Sequence, residues 1–549
     1  MVGNSRHKKL IVCCDGTANS AFKKGNYTNV LRFARCIKAR HSKGHPQIVE
    51  YMPGIGMASG NLFNAYLQGT GIGIDEKIKQ AYSFICNNYE TYKNPEERDE
   101  IFLIGFSRGA FVARCVADLI HKKGVLTKLG AHYLPFIYES WEKDGRQSRN
   151  ETTPSPDNAA GTSPHARTAE TPVPSSILDS YGRADKVKTL EEFEKYQPYF
   201  LKEELFVHQD VRVKVYAVWD TVASIGLIST HLGIFKHFKL PKLSFVNSDL
   251  CPGIDHAIQA LSLHEHRRPF CPVVWKIPNG SEDIVNEKSR LQQCWFMGYH
   301  SDIGGGIRSE GLSHYPLAWM MSKLAGFLAF EKSNFWNARP IEAKWKIDKS
   351  KATSSSPLTV KLHIRDSMSK RYRLAGSQYR KPNWHFYLPE PKTYPPTENN
   401  NEALHFTVHL LDKKDAVERP KIMEAAEFEN NTWNLRVLLP NSVSSRIQNV
   451  WRRAGTTEIC YPMEEDTINL AERSLLMLWT QSELDIFLKE HGAETSNTNE
   501  NTDDEGVDTG VGDEIGGDHR RNALEHGIHS FLTHLLAHLK AQELRESLI

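Results

Sequence analysis

Ser107, Asp220 and His300 are the residues whose types, neighbours and order in the chain suit covalent chemistry. A serine hydroxyl becomes a good nucleophile when a histidine takes its proton, and that histidine needs a carboxylate to fix its tautomer. Ser107 lies in Gly105-Phe106-Ser107-Arg108-Gly109. The apolar run Ile101–Ile104 precedes this pentapeptide, and Ala110–Ile120 follows with apolar residues at helical spacing. Strand, G-x-S-x-G and helix in that order describe a nucleophile elbow. Two glycines allow the sharp turn, and the serine is held in a strained conformation with its hydroxyl above the sheet. An ordinary serine in a tight strand-to-helix turn fits the same letters. Arg108 opens the helix, so its N–H is expected to point where a tetrahedral oxyanion forms.

Asp220 ends the strand-like run Val211–Asp220, where apolar Val211, Val213, Val215 and Ala217 alternate with Arg212, Lys214 and Tyr216. A carboxylate at a strand's C-terminal end is placed to orient a histidine, or to cap a following helix. His300 follows the apolar run Cys294–Gly298 and precedes Gly304-Gly305-Gly306, which let the backbone curl closely around it. This predicts a loop-borne general base. Asp302, two residues on, is the rival acid or a supporting partner of His300. Near the start, Lys9–Cys14 reads as a buried strand ending in Asp15-Gly16-Thr17-Ala18-Asn19. Gly16 and Thr17 are candidates for the second half of an oxyanion hole, with Asp15 as a supporting carboxylate. A plain Asp/Gly/Asn turn is the alternative.

The elements that must position these residues are strands alternating with helices, which predicts an α/β fold with a mostly parallel, doubly wound sheet. Thr28–Arg40 reads as an amphipathic helix, Ile48–Met52 as a strand, and Asp75–Tyr89 as a helix through Ile78, Ala81, Tyr82 and Ile85. Pro53–Gly73 is glycine-rich but lacks the Lys-Ser/Thr of a phosphate-binding loop, so it is expected to rim the site. Ile254–His264 has helical spacing at Ile254, Ala257, Ile258 and Leu261 and is expected to form a core helix with a charged end, His264–Phe270. Metal binding by that cluster has poor ligand spacing. Leu312–Phe330 is expected to be helical from about Pro316 and to pack on the sheet; its Trp319, Met320, Met321 and Phe327 also suit a lipid-sized pocket.

The resulting partition is a first core part over residues 1–144, a disordered Ser/Thr/Pro-rich insertion over 145–176, and a second core part over 177–330. A smaller α+β region is expected over 331–490, with strands at Leu358–Ile364 and Leu404–Leu410 and helices within Leu470–Lys489. An acidic linker over 491–520 and an amphipathic helix over 521–549 complete it.

Composition narrows the classes. At 549 residues with 40% hydrophobic and 24% charged residues, the chain suits a globular domain with additions. A net charge of +2 gives no global field for nucleic acid or anionic membranes. The basic, aromatic stretch Lys370–Trp384 suits either a solvated face or phosphate contacts, and nucleic-acid binding there would weaken steeply with salt. The polar start, MVGNSRHKK, and the lack of long apolar runs predict a cytoplasmic protein without a secretory signal or spanning helix. Nine cysteines without zinc-like spacing are expected to be reduced thiols.

The blocks DGTAN, DEIFLIGFSRGAFVAR, VYAVWDTVASIG, LHEHRRPF and WFMGYHSDIGGG occur in this order. Together they resemble the domain-of-unknown-function family 2235, α/β-hydrolases that include the catalytic domain of type VI secretion phospholipase (Tle-type) effectors; the resemblance covers roughly residues 8 to 330. It implies a Ser-Asp-His triad falling on Ser107, Asp220 and His300, and phospholipase A-type activity in the bacterial members. The insertion and the C-terminal extension look more like a eukaryotic, fungal relative. The expected activity is serine-ester hydrolysis, with a lipid ester favoured and a small soluble ester using the same triad. No metal or organic cofactor is required. The expected partners are the ester or lipid substrate and peripheral membrane contact through the C-terminal helix, with no nucleic acid. A catalytically idle hydrolase fold serving as a binding module is the competing expectation.

Overall fold

The structure is a computed structural model. It describes residues 7–17, 27–54, 73–91, 98–151, 189–201, 204–222, 250–276, 290–307 and 311–331, with shorter stretches and single positions elsewhere, most of them beyond 340. In chain order the elements are strand β1 (Lys9–Cys14), helix α1 (Asn29–Cys36), β2 (Gln47–Met52), α2 (Ile74–Asn88), β3 (Glu100–Phe106) and α3 (Arg108–Lys123). Next come β4 (Val125–Leu126), α4 (Leu134–Glu151), α5 (Leu190–Phe200), β5 (Val207–His208), β6 (Val213–Trp219) and β7 (Ile254–Ser262). Then follow β8 (Leu291–Phe296), α6 (His300–Gly304), α7 (His314–Leu324), β9 (Lys346–Ile347), β10 (Val360–His363) and β11 (Glu402–His405). The short strands β12 (Val417–Glu418), β13 (Trp433–Leu438), β14 (Gln448–Arg453) and β15 (Met463–Asp466) end the series.

The chain forms two compact units, neither continuous in sequence. The first holds residues 1–18, 39–257 and 273–291; the second holds 19–38, 258–272 and 292–549.

In the first unit β2, β1, β3 and β6 pair side by side, all parallel. Their sequences explain this. Leu10, Val12, Ile101 and Leu103 are fully buried on one face, and so are their alternating neighbours Ile11, Cys13, Phe102 and Ile104. Near-continuous apolar strands are what a parallel sheet covered on both faces requires. Helices α2 and α3 supply much of the cover: Ile78, Ala81, Tyr82 and Ile85 of α2 meet Ala113, Val116, Ala117 and Ile120 of α3 in one core with Leu10, Val12, Ile101 and Leu103. Gly73, in the left-handed region at φ 93°, starts α2, with Asp75 and Glu76 in its first turn. The Tyr82 hydroxyl donates to the Gly124 carbonyl at 2.8 Å, tying α2 to the end of α3.

Two expectations here change. β6 was expected to leave one face more exposed, but only Lys214 of Val213–Trp219 is partly exposed, because β6 is an inner strand beside β3. Helix α4 runs through Gly145 to Glu151, past the boundary where the polar insertion was expected to begin. The remainder of that insertion, all but Pro53 and Gly54 of the glycine-rich loop before Gly73, and everything beyond Leu476 lie outside the described residues.

In the second unit β8, β11 and β15 are parallel, and β14 and β13 extend the array antiparallel. β10 and β11 fall within or across the two expected strand segments beyond residue 331, and Glu472, Arg473, Leu475 and Leu476 are helical within the segment expected to be so. Helix α1 is capped by Thr28, whose Oγ1 accepts from the Leu31 N–H at 3.2 Å; it ends at Cys36, short of the expected Arg40. Helix α7 is buried from His314 to Ser322, including Trp319, Met320 and Met321, as the core-packing reading of its apolar surplus requires.

Ile254–His264 is not a helix. Residues Ile254–Ser262 form β7, which passes from the first unit into the second. Its apolar residues happen to fall at i, i+3, i+4 and i+7, but the stretch from Ala257 to Ser262 is buried throughout, so neither face needed to be polar.

Candidate active site

Ser107 stands between β3 and α3 with φ 57° and ψ −123°, a conformation that L residues adopt rarely. Its N–H donates to the Trp219 carbonyl at 3.1 Å, and its carbonyl accepts from the Phe111 N–H at 3.4 Å. The turn is as tight as the two glycines imply. A Cβ at Gly105 would lie 2.6 Å from Ala110 Cα, and one at Gly109 would lie 2.2 Å from the Cys14 carbonyl oxygen and 2.5 Å from that of Asp15. The base of α3 is strapped to β6 by the Tyr216 hydroxyl, which donates to the Ala110 carbonyl at 2.8 Å.

The close approach at Gly109 carries the Asp15–Thr17 loop to the elbow. Cys14, Asp15, Thr17, Met52, Gly54, Lys77, Arg108 and Gly109 line one small cleft. Asp15 organises this loop: Oδ1 accepts from the Gly16 N–H at 2.6 Å, and Oδ2 accepts from the Tyr51 hydroxyl. The Gly16 amide is therefore already engaged, whereas Thr17 of the loop and Arg108 of the elbow are among the residues that line the cleft. Gly54 packs against this loop so closely that a Cβ there would overlap the Gly16 carbonyl oxygen. Burial pushes the Cys14 thiol up to about 12, and pushes Cys13 upward too, so both stay as protonated thiols at neutral pH.

Asp220 follows Trp219 at the C-terminal end of β6, fully buried and with φ 44°. Because Trp219 is the residue whose carbonyl holds Ser107, the first unit brings Ser107 and Asp220 to the same ends of neighbouring strands. The next residue, Thr221, is fixed by its carbonyl, which accepts from the Val273 N–H at 3.0 Å.

His300 lies in the second unit. Rather than a loop, it occupies the first turn of the short helix α6, and it is buried. Gly298, at φ 116°, makes the turn into that helix; a Cβ there would lie 2.5 Å from Asp302 Cβ. Asp302 caps the helix start, its Oδ2 accepting from the Tyr299 N–H at 2.8 Å. Gly305 and Gly306, at φ 76° and 90°, then turn the chain against Tyr27 and Thr28, and Asn29 Nδ2 donates to the Ile303 and Ser313 carbonyls, both at 2.8 Å.

The surroundings of His300 include residues that the sequence reading set aside as a charged helix end. The segment after β7 is an extended run ending in a 3₁₀ turn, Arg268–Phe270. The buried Glu265 carboxylate pairs with the Arg267 guanidinium through both oxygens, at 2.9 and 2.7 Å, and accepts the His300 N–H at 3.4 Å. Burial alone would raise the Glu265 carboxyl, but the hydrogen bonds and charge of Arg267, with Arg380 and His300 adding to them, hold it below its usual range. Phe270 meets the His300 ring edge-on at 4.9 Å between centroids.

Among the described residues no group of three or more His, Cys, Asp or Glu side chains is placed to hold a metal ion, and no helix is long and apolar enough to cross a membrane.

A mostly parallel sheet with flanking helices, and a strained serine at the strand-to-helix turn, define an α/β protein of the α/β-hydrolase-like type. Residues 8–323 match the family model described as "T6SS, Phospholipase effector Tle1-like, catalytic domain", and the chain belongs to that family. It is also 30% identical over 166 residues to a Saccharomyces cerevisiae protein described as "Uncharacterized protein YEL023C". That match covers 27% of this chain and 23% of the yeast protein, so the chain spans about a quarter of that relative's length. No solved structure matches the chain.

Proposed function

We propose that this protein is a serine esterase acting on lipid esters, with Ser107 as nucleophile, His300 as general base and Asp220 as the carboxylate that orients His300. The observation that carries the reading is the conformation of Ser107: a non-glycine residue at φ 57° and ψ −123°, between two glycines that admit no side chain. Strain of this kind costs on the order of 1–3 kcal/mol and is kept where function needs it. Family membership adds the lipid class of the substrate.

In this mechanism Ser107 Oγ attacks the ester carbonyl carbon while His300 takes the hydroxyl proton. The ester C–O bond then breaks, and His300 returns the proton to the leaving alcohol. Water, deprotonated by His300, attacks the acyl-serine and releases the carboxylic acid. The Arg108 N–H and the Thr17 side of the loop hold the oxyanion, while Asp15, through its bond to Gly16, keeps that loop in shape. The chemistry requires His300 Nε2 within hydrogen-bond reach of Ser107 Oγ and Asp220 on the other ring nitrogen.

The test is ester release from phosphatidylcholine vesicles and from a short-chain aryl ester, wild type beside Ser107→Ala. Activity on both that disappears in the variant supports the reading. Activity on the aryl ester alone keeps the esterase and removes the phospholipid. A wild type silent on both favours an idle hydrolase fold that binds rather than cleaves.

A further inference from the structure

We propose that the buried Glu265–Arg267 pair and Arg380 form a positioning block that fixes both the backbone and the ring of His300. The proposal rests on the reading of His300 as the general base.

The backbone link is direct. Glu265 Oε2 accepts the His300 N–H at 3.4 Å, while the same carboxylate is held by the Arg267 guanidinium and by the Arg267 N–H at 2.9 Å. A carboxylate fastened from three donors is a rigid acceptor, because its rotation would break several bonds at once. The ring link runs through Phe270. Its ring packs edge-to-face with the His300 imidazole, and the Arg267 guanidinium sits over the Phe270 ring, 3.7 Å from its centroid. Arg380 then fixes Phe270 from the backbone: Nη2 donates to the Phe270 carbonyl at 2.6 Å, and Nη1 donates to Ser262 through the carbonyl at 2.9 Å and Oγ at 2.6 Å. Ser377, three residues before Arg380, pairs with Arg267 in an antiparallel bridge.

Arg380 is thus half-buried and hydrogen-bonded within its unit, in a stretch whose sequence suits a solvated face or phosphate contacts. The block also explains a buried ion pair beside an imidazole. One carboxylate and two guanidiniums surround the His300 end of the segment, with Asp302, His264 and His266 on the adjoining turns. Glu265 favours the protonated imidazole and the guanidiniums oppose it, so the block sets the basicity of His300 as well as its direction.

The test is kinetic, on the full-length protein with a short-chain aryl ester. Glu265→Gln and Arg380→Ala should each lower kcat by about 10–100-fold with KM changed less than about threefold, as misdirection of a base does. The acidic limb of the kcat/KM profile should move in opposite directions, by about half a pH unit: down in Glu265→Gln, where a negative charge is lost, and up in Arg380→Ala, where a positive one is lost. Simple loosening would not produce opposite signs. Phe270→Leu keeps the ion pairs and removes the ring contacts to His300 and to the Arg267 guanidinium; it should lose kcat as well, and it carries the test if the charge variants do not fold. Full kcat in a folded Phe270→Leu or Glu265→Gln, or limb shifts of one sign, would overturn the block while a dead His300→Ala keeps His300 as the base. An active His300→Ala would overturn the base assignment and the block with it.

Discussion

Replacing Ser107 by glycine should make the protein more stable than replacing it by alanine. Both changes remove the hydroxyl, so the comparison isolates the Cβ. At φ 57° and ψ −123° a Cβ is strained, and relief of that strain is worth about 1–3 kcal/mol. Against this, glycine costs roughly 0.5–1 kcal/mol more than alanine in chain entropy. The net expectation is about 0–2.5 kcal/mol in favour of Ser107→Gly, centred near ~1 kcal/mol, a rise of up to about 10 °C in the melting temperature of a cooperative unit of ~150–250 residues. Scanning calorimetry of the two variants at one pH and one heating rate reads this directly. At a position with ordinary dihedrals the sign reverses. An alanine variant that melts at or above the glycine variant would therefore refute the claim that the serine is held under strain.

Other consequences can be checked in parallel. Gly109→Ala puts a methyl 2.2 Å from the Cys14 carbonyl oxygen, so β1 and α3 must separate; overpacking of this kind costs about 1–3 kcal/mol, and it should lower the urea midpoint and ester hydrolysis together. Asp220→Asn preserves the side-chain shape, and Asn tolerates a φ of 44°; kcat should fall by up to about 10⁴-fold in a folded protein, measured with the aryl ester. Burial pushes the thiols of Cys14, Cys36 and Cys86 up to about 12, whereas Cys271 is partly exposed. Iodoacetamide at pH 8 should therefore label Cys271 well before those three in the native protein, and peptide mass spectrometry would show the order. Equal labelling of Cys14 and Cys271 would contradict the buried β1.

The strand-turn-helix around Ser107 was legible because its determinants are local. An apolar run, two glycines and a helical repeat follow one another within Glu100–Lys123, and β3 and α3 appear there. Lys9–Cys14 was equally plain, since a short apolar, partly β-branched run ending in an Asp-Gly turn suits a buried strand, and all six residues are buried in β1. β7 was misread because Ile254, Ala257, Ile258 and Leu261 satisfy helical spacing while its burial on both faces is decided by strands and helices distant in sequence. Glu265 and Arg267 were missed as partners because residues two apart do not face each other on a helix; they meet only in the extended run that follows a strand. Arg380 lies more than a hundred residues from Ser262 and Phe270, and no local pattern announces such a bond. The Glu-x-Arg directly after a buried apolar stretch was the one available signal, and it was hidden by the helical reading of that stretch.

The central claim is that Ser107 is an activated nucleophile. The most direct measurement is site mapping of a serine-directed fluorophosphonate by peptide mass spectrometry, on wild type, Ser107→Ala, Asp220→Asn and His300→Ala. The account predicts a single adduct on the peptide containing Ser107 in wild type, none in Ser107→Ala, and strongly slowed labelling in the other two. Absence of an adduct at Ser107 in folded wild type, or labelling at Ser107 that is indifferent to His300 and Asp220, would contradict it.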